Sequence, residues 1–303
     1  MGDSVTLSVD DCPNLNNNLQ NGLVAYYPFC GNANDESANT NDGTINGAVL
    51  TQDRFGHTDA AYDFDGIDDF INLGDLDLTS SFTLNAWIKP NTISGVNNII
   101  HKKQSLNLRA GYTGVGTDKL YGYVQTTGTN YISYSSSNPA IGTWQMVTMI
   151  YDEGNEIKLY IGAQEETIIS QIGTGTINQN NYPMHIGSYS DTTIASNEWF
   201  DGTIDDVTIY NRTLDTTEIQ QLYTLGQYDI SWSTGDTTSS ITVSPTATTT
   251  YSVTVDDGIS TCSDSVAITV SGPAIAFTST DVSCNGAADG TAAAIVTNGV
   301  GPY

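Results

Sequence analysis

The densest run of groups that could ligate a hard cation is Asn34-Asp35-Glu36-Ser37-Ala38-Asn39-Thr40-Asn41-Asp42. Ca²⁺ collects several oxygens from carboxylates, amides and backbone carbonyls, and this run offers all three kinds. The competing reading is that Asp35 and Asn39 hydrogen-bond their own backbone and cap turns. A second acidic run, Asp63-Phe64-Asp65-Gly66-Ile67-Asp68-Asp69, lacks EF-hand spacing and its distant Glu. There, an Asp-Gly pair between apolar stretches predicts a hairpin. Catalytic patterns are missing. A retaining glycosidase needs two aligned carboxylates, yet no Glu-x-Asp-x-x-Glu occurs, and Glu153, Glu156, Glu165 and Glu166 have no aligned Asp. His57, His101 and His185 sit in neither a GxSxG nor an HExxH context. The expectation is a chain that is not an enzyme.

Aromatic residues make a different kind of candidate. Tyr112, Tyr121, Tyr123, Tyr131 and Tyr134 crowd the mid-chain strands beside Asn107 and Arg109, and Trp199 stands in a polar loop before the last long strand. Flat aromatic faces next to amide and guanidinium donors are what a sugar-binding surface requires. Period-2 alternation puts Tyr121 and Tyr123 on one face of their strand and sets Tyr131 opposite to Tyr134, so part of the set must be packing.

The elements that would position these residues are strands almost throughout. Phe82, Leu84, Ala86 and Ile88 alternate with Thr83, Asn85 and Trp87, and Trp144, Met146, Thr148 and Ile150 repeat the pattern. Further alternating runs cover 23–29, 120–124, 131–134, 157–161 and 202–210, with turn residues between them, as an antiparallel sandwich requires. A single helix is predicted after Asp215. This residue stands three before Glu218 in a capping-box arrangement, Ile219, Leu222 and Tyr223 share one face, and Gly226 is the stop. That helix should cover the sandwich rather than carry a site.

Composition narrows the partners. The 303 residues hold 8 Lys and Arg against 34 Asp and Glu, a formal charge of −26. Such a chain repels phosphate backbones, so nucleic acid is excluded as a partner. No apolar stretch is long enough to span a membrane. Met1-Gly2-Asp3 is not a signal peptide, so export implies a signal outside these residues; with the turn-forming end Gly301-Pro302-Tyr303, the chain reads as a segment of something longer. Cys12, Cys30, Cys262 and Cys284 form no CxxC. Of three pairings, Cys12 with Cys30 is favoured because it ties the entry segment to the first sandwich strand; Cys262 with Cys284 would follow, and free buried thiols are the alternative.

Several motifs carry a family resemblance. Residues 22–29 (GLVAYYPF), 31–37 (GNANDES), Arg54-Phe55-Gly56, 64–71 (FDGIDDFI), 82–90, 144–151 and the close 200–207 (FDGTIDDV) with Tyr210-Asn211-Arg212 resemble laminin-G-like, concanavalin-A-like jelly rolls over about 200 residues in order. Residues 227–271, through Trp232-Ser233-Thr234-Gly235 and Thr248-Thr249-Thr250-Tyr251, resemble Ig-like repeats of large surface proteins in gliding bacteria. Residues 274–303, with Cys284-Asn285-Gly286 and Ala288-Asp289-Gly290, resemble the start of an adhesin repeat. The implied fold is all-β: a jelly-roll sandwich at 22–226 plus a smaller Ig-like sandwich. About 45 residues are too few for the latter, and Ser4 to Val9 alternates like a strand. The domain is therefore expected to be discontinuous, built from 2–10 plus 227–271 with the jelly roll inserted; the alternative is that 1–20 is only a leader.

In jelly rolls the first and last strands are neighbours. The resemblance thus implies a structural Ca²⁺ held by Asp35, Asn39, Asp205 and Asp206, although the family pattern has Gly where Ala38 stands. It also implies an extracellular module on a bacterial cell surface, binding a polysaccharide or cell-surface glycan, with a protein ligand left open. The alternatives are a structural spacer in a surface stalk and an accessory domain of a polysaccharide-degrading enzyme encoded outside this chain.

Overall fold

The computed structural model describes residues 4–8, 13, 15–111, 118–189, 198–256, 261–270, 274–280 and 291–297. The chain divides into two compact units, Cys12–Gly226 and Met1–Asp11 with Gln227–Tyr303.

The larger unit is a sandwich of two eight-stranded antiparallel sheets. The first runs Gln164–Glu165, Glu156–Ile161, Gln145–Asp152, Phe82–Pro90, Asp201–Tyr210, Ala61–Asp65, Val49–Thr51, with Leu23–Tyr27 also paired to Asp201–Tyr210. The second runs Thr167–Gln171, Tyr131–Ser135, Leu120–Val124, Leu106–Ala110, Asn97–Lys102, Met184–Ile186, Phe70–Asn72, Thr44–Asn46. Alternation decides what lies between them. Phe82, Leu84, Ala86 and Ile88 meet Ile100, Leu106, Leu108, Leu120 and Ile186 in one buried core, as stacked sheets demand.

The first sheet is covered on its other side too. Trp87, Met146 and Ile150 pack with Leu15, Leu19, Leu214 and the helix Thr216–Thr224 through Ile219 and Leu222. The predicted capping box is present: Asp215 accepts from the backbone of Thr217 and Glu218, and the Glu218 carboxylate accepts from the Asp215 backbone N–H at 3.0 Å. Tyr223 stacks on Trp87 with ring centroids 5.6 Å apart. The helix therefore closes one face and leaves the outward face of the second sheet for function.

One turn departs from its prediction. Asp65-Gly66 does not close a hairpin, because Ala61–Asp65 pairs in the first sheet and Phe70–Asn72 in the second. The turn carries the chain across the sandwich. Gly66 has φ of +73°, which a β-carbon would strain. Asp65 and Asp69 hold the crossing through backbone amides, Asp65 accepting from Ile67 and Asp69 from Asp65.

The second unit has a three-stranded sheet, Asp229–Trp232, Thr249–Asp256 and Thr261–Ile268, and a two-stranded one in which Val5–Ser8 pairs antiparallel with Ser240–Val243. Trp232 and Ile241 are its buried apolar side chains among the described residues. Ala274–Thr280 and Thr291–Thr297 form a separate antiparallel pair. Among the described residues no helix is long and apolar enough to cross a membrane.

Candidate functional site

The second sheet turns Ile71, Ile186, Ile100, Leu108 and Val124 inward, so the alternate residues point outward. Strand register aligns them into rows. Thr44, Asn72, His185, His101, Asn107 and Tyr123 are successive cross-strand partners over six strands. Asn98, Arg109, Tyr121 and Tyr134 form the parallel row beside it.

These rows build a polar pocket of about 210 Å³ lined by His101, Asn107, Arg109, Tyr121, Tyr123, Gln125 and Tyr189, among others, without a single carboxylate. Stacking fixes its walls. The Arg109 guanidinium lies 4.0 Å from the Tyr121 ring centroid, Tyr121 packs on Tyr134 at 5.2 Å, and His101 stacks on Tyr189 at 4.2 Å. Tyr123 accepts a hydrogen bond from Asn130 at 2.9 Å. The Asn107 carboxamide oxygen is buried and has no hydrogen-bond partner, and neither has that of Asn98 nor Nε2 of His185. Buried polar atoms without partners are rare in native proteins and mark places where water or ligand completes the set. His185 donates to or accepts from Ser188 through Nδ1 at 3.0 Å and lies flat on Phe70 at 4.5 Å. Burial depresses its pKa to about 4, so the ring is neutral at neutral pH. Chemically, the pocket offers hydroxyl-reading amides beside flat apolar rings, and nothing in its lining can hold a cation.

The predicted aromatic set is thus split. Tyr121, Tyr123 and Tyr134 share the outward face with Asn107 and Arg109. Tyr131 is a correction: it points into the core, fully buried, edge-on to Tyr151 with centroids 5.0 Å apart. Alternation had separated it from Tyr134 without saying which side was the interior. Trp199 lies apart from the pocket, 6.2 Å from Phe70 and bridged to Ser188. Tyr112 falls outside the described residues. So does Cys12; Cys30 is disulfide-bonded. Cys262 is an exposed free thiol and Cys284 is outside the described residues.

The residues expected to hold Ca²⁺ do not fit one. Asp35 spends both oxygens on its own loop: Oδ1 accepts from the Tyr26 and Ser37 amides, Oδ2 from the Ser37 hydroxyl and the Asn41 amide, all within 2.9 Å. Asn39 donates to the carbonyls of Leu23 and Val24. Asp205 and Asp206 do attract a cation, but it is Arg54. Its Nη1 lies 3.1 Å from Asp205 and 2.5 Å from Asp206, while Nη2 donates to the Leu225 carbonyl. The reason is a change of partner along one strand: Asp201–Ile204 pairs with Ala61–Asp65, Val207–Tyr210 with Leu23–Tyr27, and Asp205 and Asp206 fall at the bulge between. Asp206 there has φ of +44°. Arg54, sandwiched 4.4 Å from both Phe55 and Trp87, plugs the gap. Burial and repulsion from Asp206 push the Asp205 pKa well above the usual carboxylate range, against the pull of Arg54. Among the described residues, Asp65, Asp68 and Asp69 are the one acidic trio whose oxygens converge.

Two stacked antiparallel sheets of this order are the jelly-roll arrangement, and the sequence itself agrees. Residues 65–220, just over half of the chain, match the family described as the concanavalin A-like lectin/glucanases superfamily. The chain belongs to the concanavalin A-like superfamily. No curated protein matches it in sequence. Among solved structures, domain 4 of a GH43 extracellular arabinanase from Geobacillus stearothermophilus, in complex with arabinotriose, is similar at 18% identity. It has a TM-score of 0.53, covering 66% of this chain and 98% of that one. The binding domain of a paraclostridial mosquitocidal protein is similar at 15% identity and TM-score 0.54, covering 68% of this chain and 52% of that one. At such identities the likenesses establish the concanavalin A-like fold.

Proposed function

We propose that this concanavalin A-like chain is a non-catalytic, extracellular carbohydrate-binding module of a bacterial surface protein, and that sugar docks on the outward face of the second sheet. The observation that carries the reading is the buried, unpartnered Asn107 carboxamide oxygen in the floor of a carboxylate-free pocket walled by Tyr121, Tyr123 and Tyr189. A hydroxyl can donate to that oxygen while the sugar's apolar face lies on a ring. The arabinanase domain, whose complex holds arabinotriose, supports the reading by showing the same fold around a linear oligosaccharide.

The test is a glycan array probed with wild-type protein and with Asn107→Ala and Tyr123→Ala. Retention of a linear glycan by wild type, lost in both variants, is the expected outcome. Silence of the wild type across plant, algal and bacterial polysaccharides supports the spacer reading and overturns this one.

A further inference from the structure

The same sheet face has a second pocket, of about 540 Å³, lined by Asp42, Thr44, Asn46, Phe70, Asn72 and neighbours. None of these was a candidate from sequence. Its lining repeats the chemistry of the first pocket: amides and hydroxyls around one aromatic ring. Thr44 and Asn72 belong to the very row that ends at Asn107 and Tyr123. Between the pockets stands the strand Met184–Ile186. The Phe70 ring, which walls the second pocket, leans on His185 of that strand, and His101 on the far side lines the first. The base of the segment that follows, with Ser188 bridged to Trp199 and Tyr189 bonded to Glu198, rises there as well.

We infer that the two pockets are subsites of one extended site, which takes a single linear neutral oligosaccharide lying across the strands from Tyr123 to Thr44. This rests on the carbohydrate reading above. Six strands about 4.8 Å apart give a row about 24 Å long, room for on the order of five sugar rings. Separate single-sugar sites would have no reason to share one register row; a chain ligand does, since its repeat runs perpendicular to the strands. The Asp42 carboxylate at one end disfavours an anionic sugar in that subsite.

The experiment is titration calorimetry of the full chain with linear arabino- and cello-oligosaccharides of about two to about six units. Tethering two subsites through one ligand should raise affinity about a hundredfold from the shortest to the longest member of whichever series binds. Thr44→Trp, a filling substitution on the exposed edge strand, should reduce that gain to less than about threefold. Thr44→Ala, which removes only one hydroxyl, keeps the test alive if the larger side chain disturbs the edge; it should cut the gain by about threefold. Affinity that is flat with length, or a length gain indifferent to both substitutions, overturns the extended site and leaves the carbohydrate reading standing. If neither series binds at any length, the carbohydrate reading fails with it.

Discussion

Replacing Arg54 with Met tests how the sandwich is closed at its bulged strand. Asp205 and Asp206 are both about 2% exposed and share the Arg54 guanidinium, at 3.1 and 2.5 Å. Methionine keeps much of the volume between Phe55 and Trp87 but leaves two buried carboxylates unpaired and the Leu225 carbonyl without its donor. Removing one partner of a buried ion pair costs about 3–5 kcal/mol. For a unit of this size, each kcal/mol lowers Tm by about 2–4 °C, so a drop of about 8–16 °C is expected. Thermal and urea unfolding, followed by circular dichroism, read it. The pH dependence has a definite sign. The folded pKa of Asp205 lies above the ordinary 3.8, so the native state retains a proton that the unfolded chain releases. Its contribution is full below that value and is lost as pH rises through the folded pKa, by up to about 1.4 kcal/mol per pH unit. Asp205→Asn should flatten this decline. Adding Asp205→Asn and Asp206→Asn to Arg54→Met should recover part of the lost stability, because the uncompensated charges go with them. An Arg54→Met protein within about 1 kcal/mol of wild type, or an unchanged pH profile in Asp205→Asn, refutes the reasoning.

Further outcomes follow from the same geometry. Tyr131→Ala should cost about 3–5 kcal/mol in urea unfolding, as loss of a core aromatic does, whereas Tyr123→Ala on the outward face should cost far less while removing glycan binding. His185 works in the opposite sense to Asp205: its folded pKa of about 4 lies below the ordinary 6.5. Its share of stability is present above about pH 6.5 and is lost as pH falls through the folded value, about 3 kcal/mol in all. His185→Gln should remove that acid limb from the pH–stability curve. Asp215→Ala, breaking the capping box, should destabilise by about 1 kcal/mol in the same unfolding assay.

How much of this was legible in the sequence depends on whether the information is local. Alternation in 82–90 gave a strand and its two faces, and the structure buries both because one meets the second sheet and the other meets the helix. The helix and its cap were legible because Asp215, Glu218, Ile219 and Leu222 specify them within a few residues. Asn107, Arg109, Tyr121 and Tyr123 could be grouped because they lie on adjacent hairpin strands. Their partners His101, Tyr189, Asn98 and His185 could not, since they arrive from distant segments and only strand register aligns them. Tyr131 shows the limit of a period-2 pattern: it separates two faces but does not say which is inside when both carry apolar groups. The Asp-Gly at 65–66 shows the same for turns, because a local signal names a reversal without naming the sheet the chain enters next. Asp205-Asp206 correctly signalled a buried cation. The cation proved to be a side chain about 150 residues away in sequence, visible beforehand only as the Arg-Phe-Gly motif.

The most direct test is mapping of amide chemical shifts in isotope-labelled protein during titration with a linear oligosaccharide that the array retains. The account predicts saturable shifts concentrated on His101, Asn107, Tyr121, Tyr123 and Gln125, with the Asp35 loop and the Arg54 cluster unmoved. Shifts confined to the Asp35 loop, to the helix-covered side or to the residues after Gly226 would contradict it.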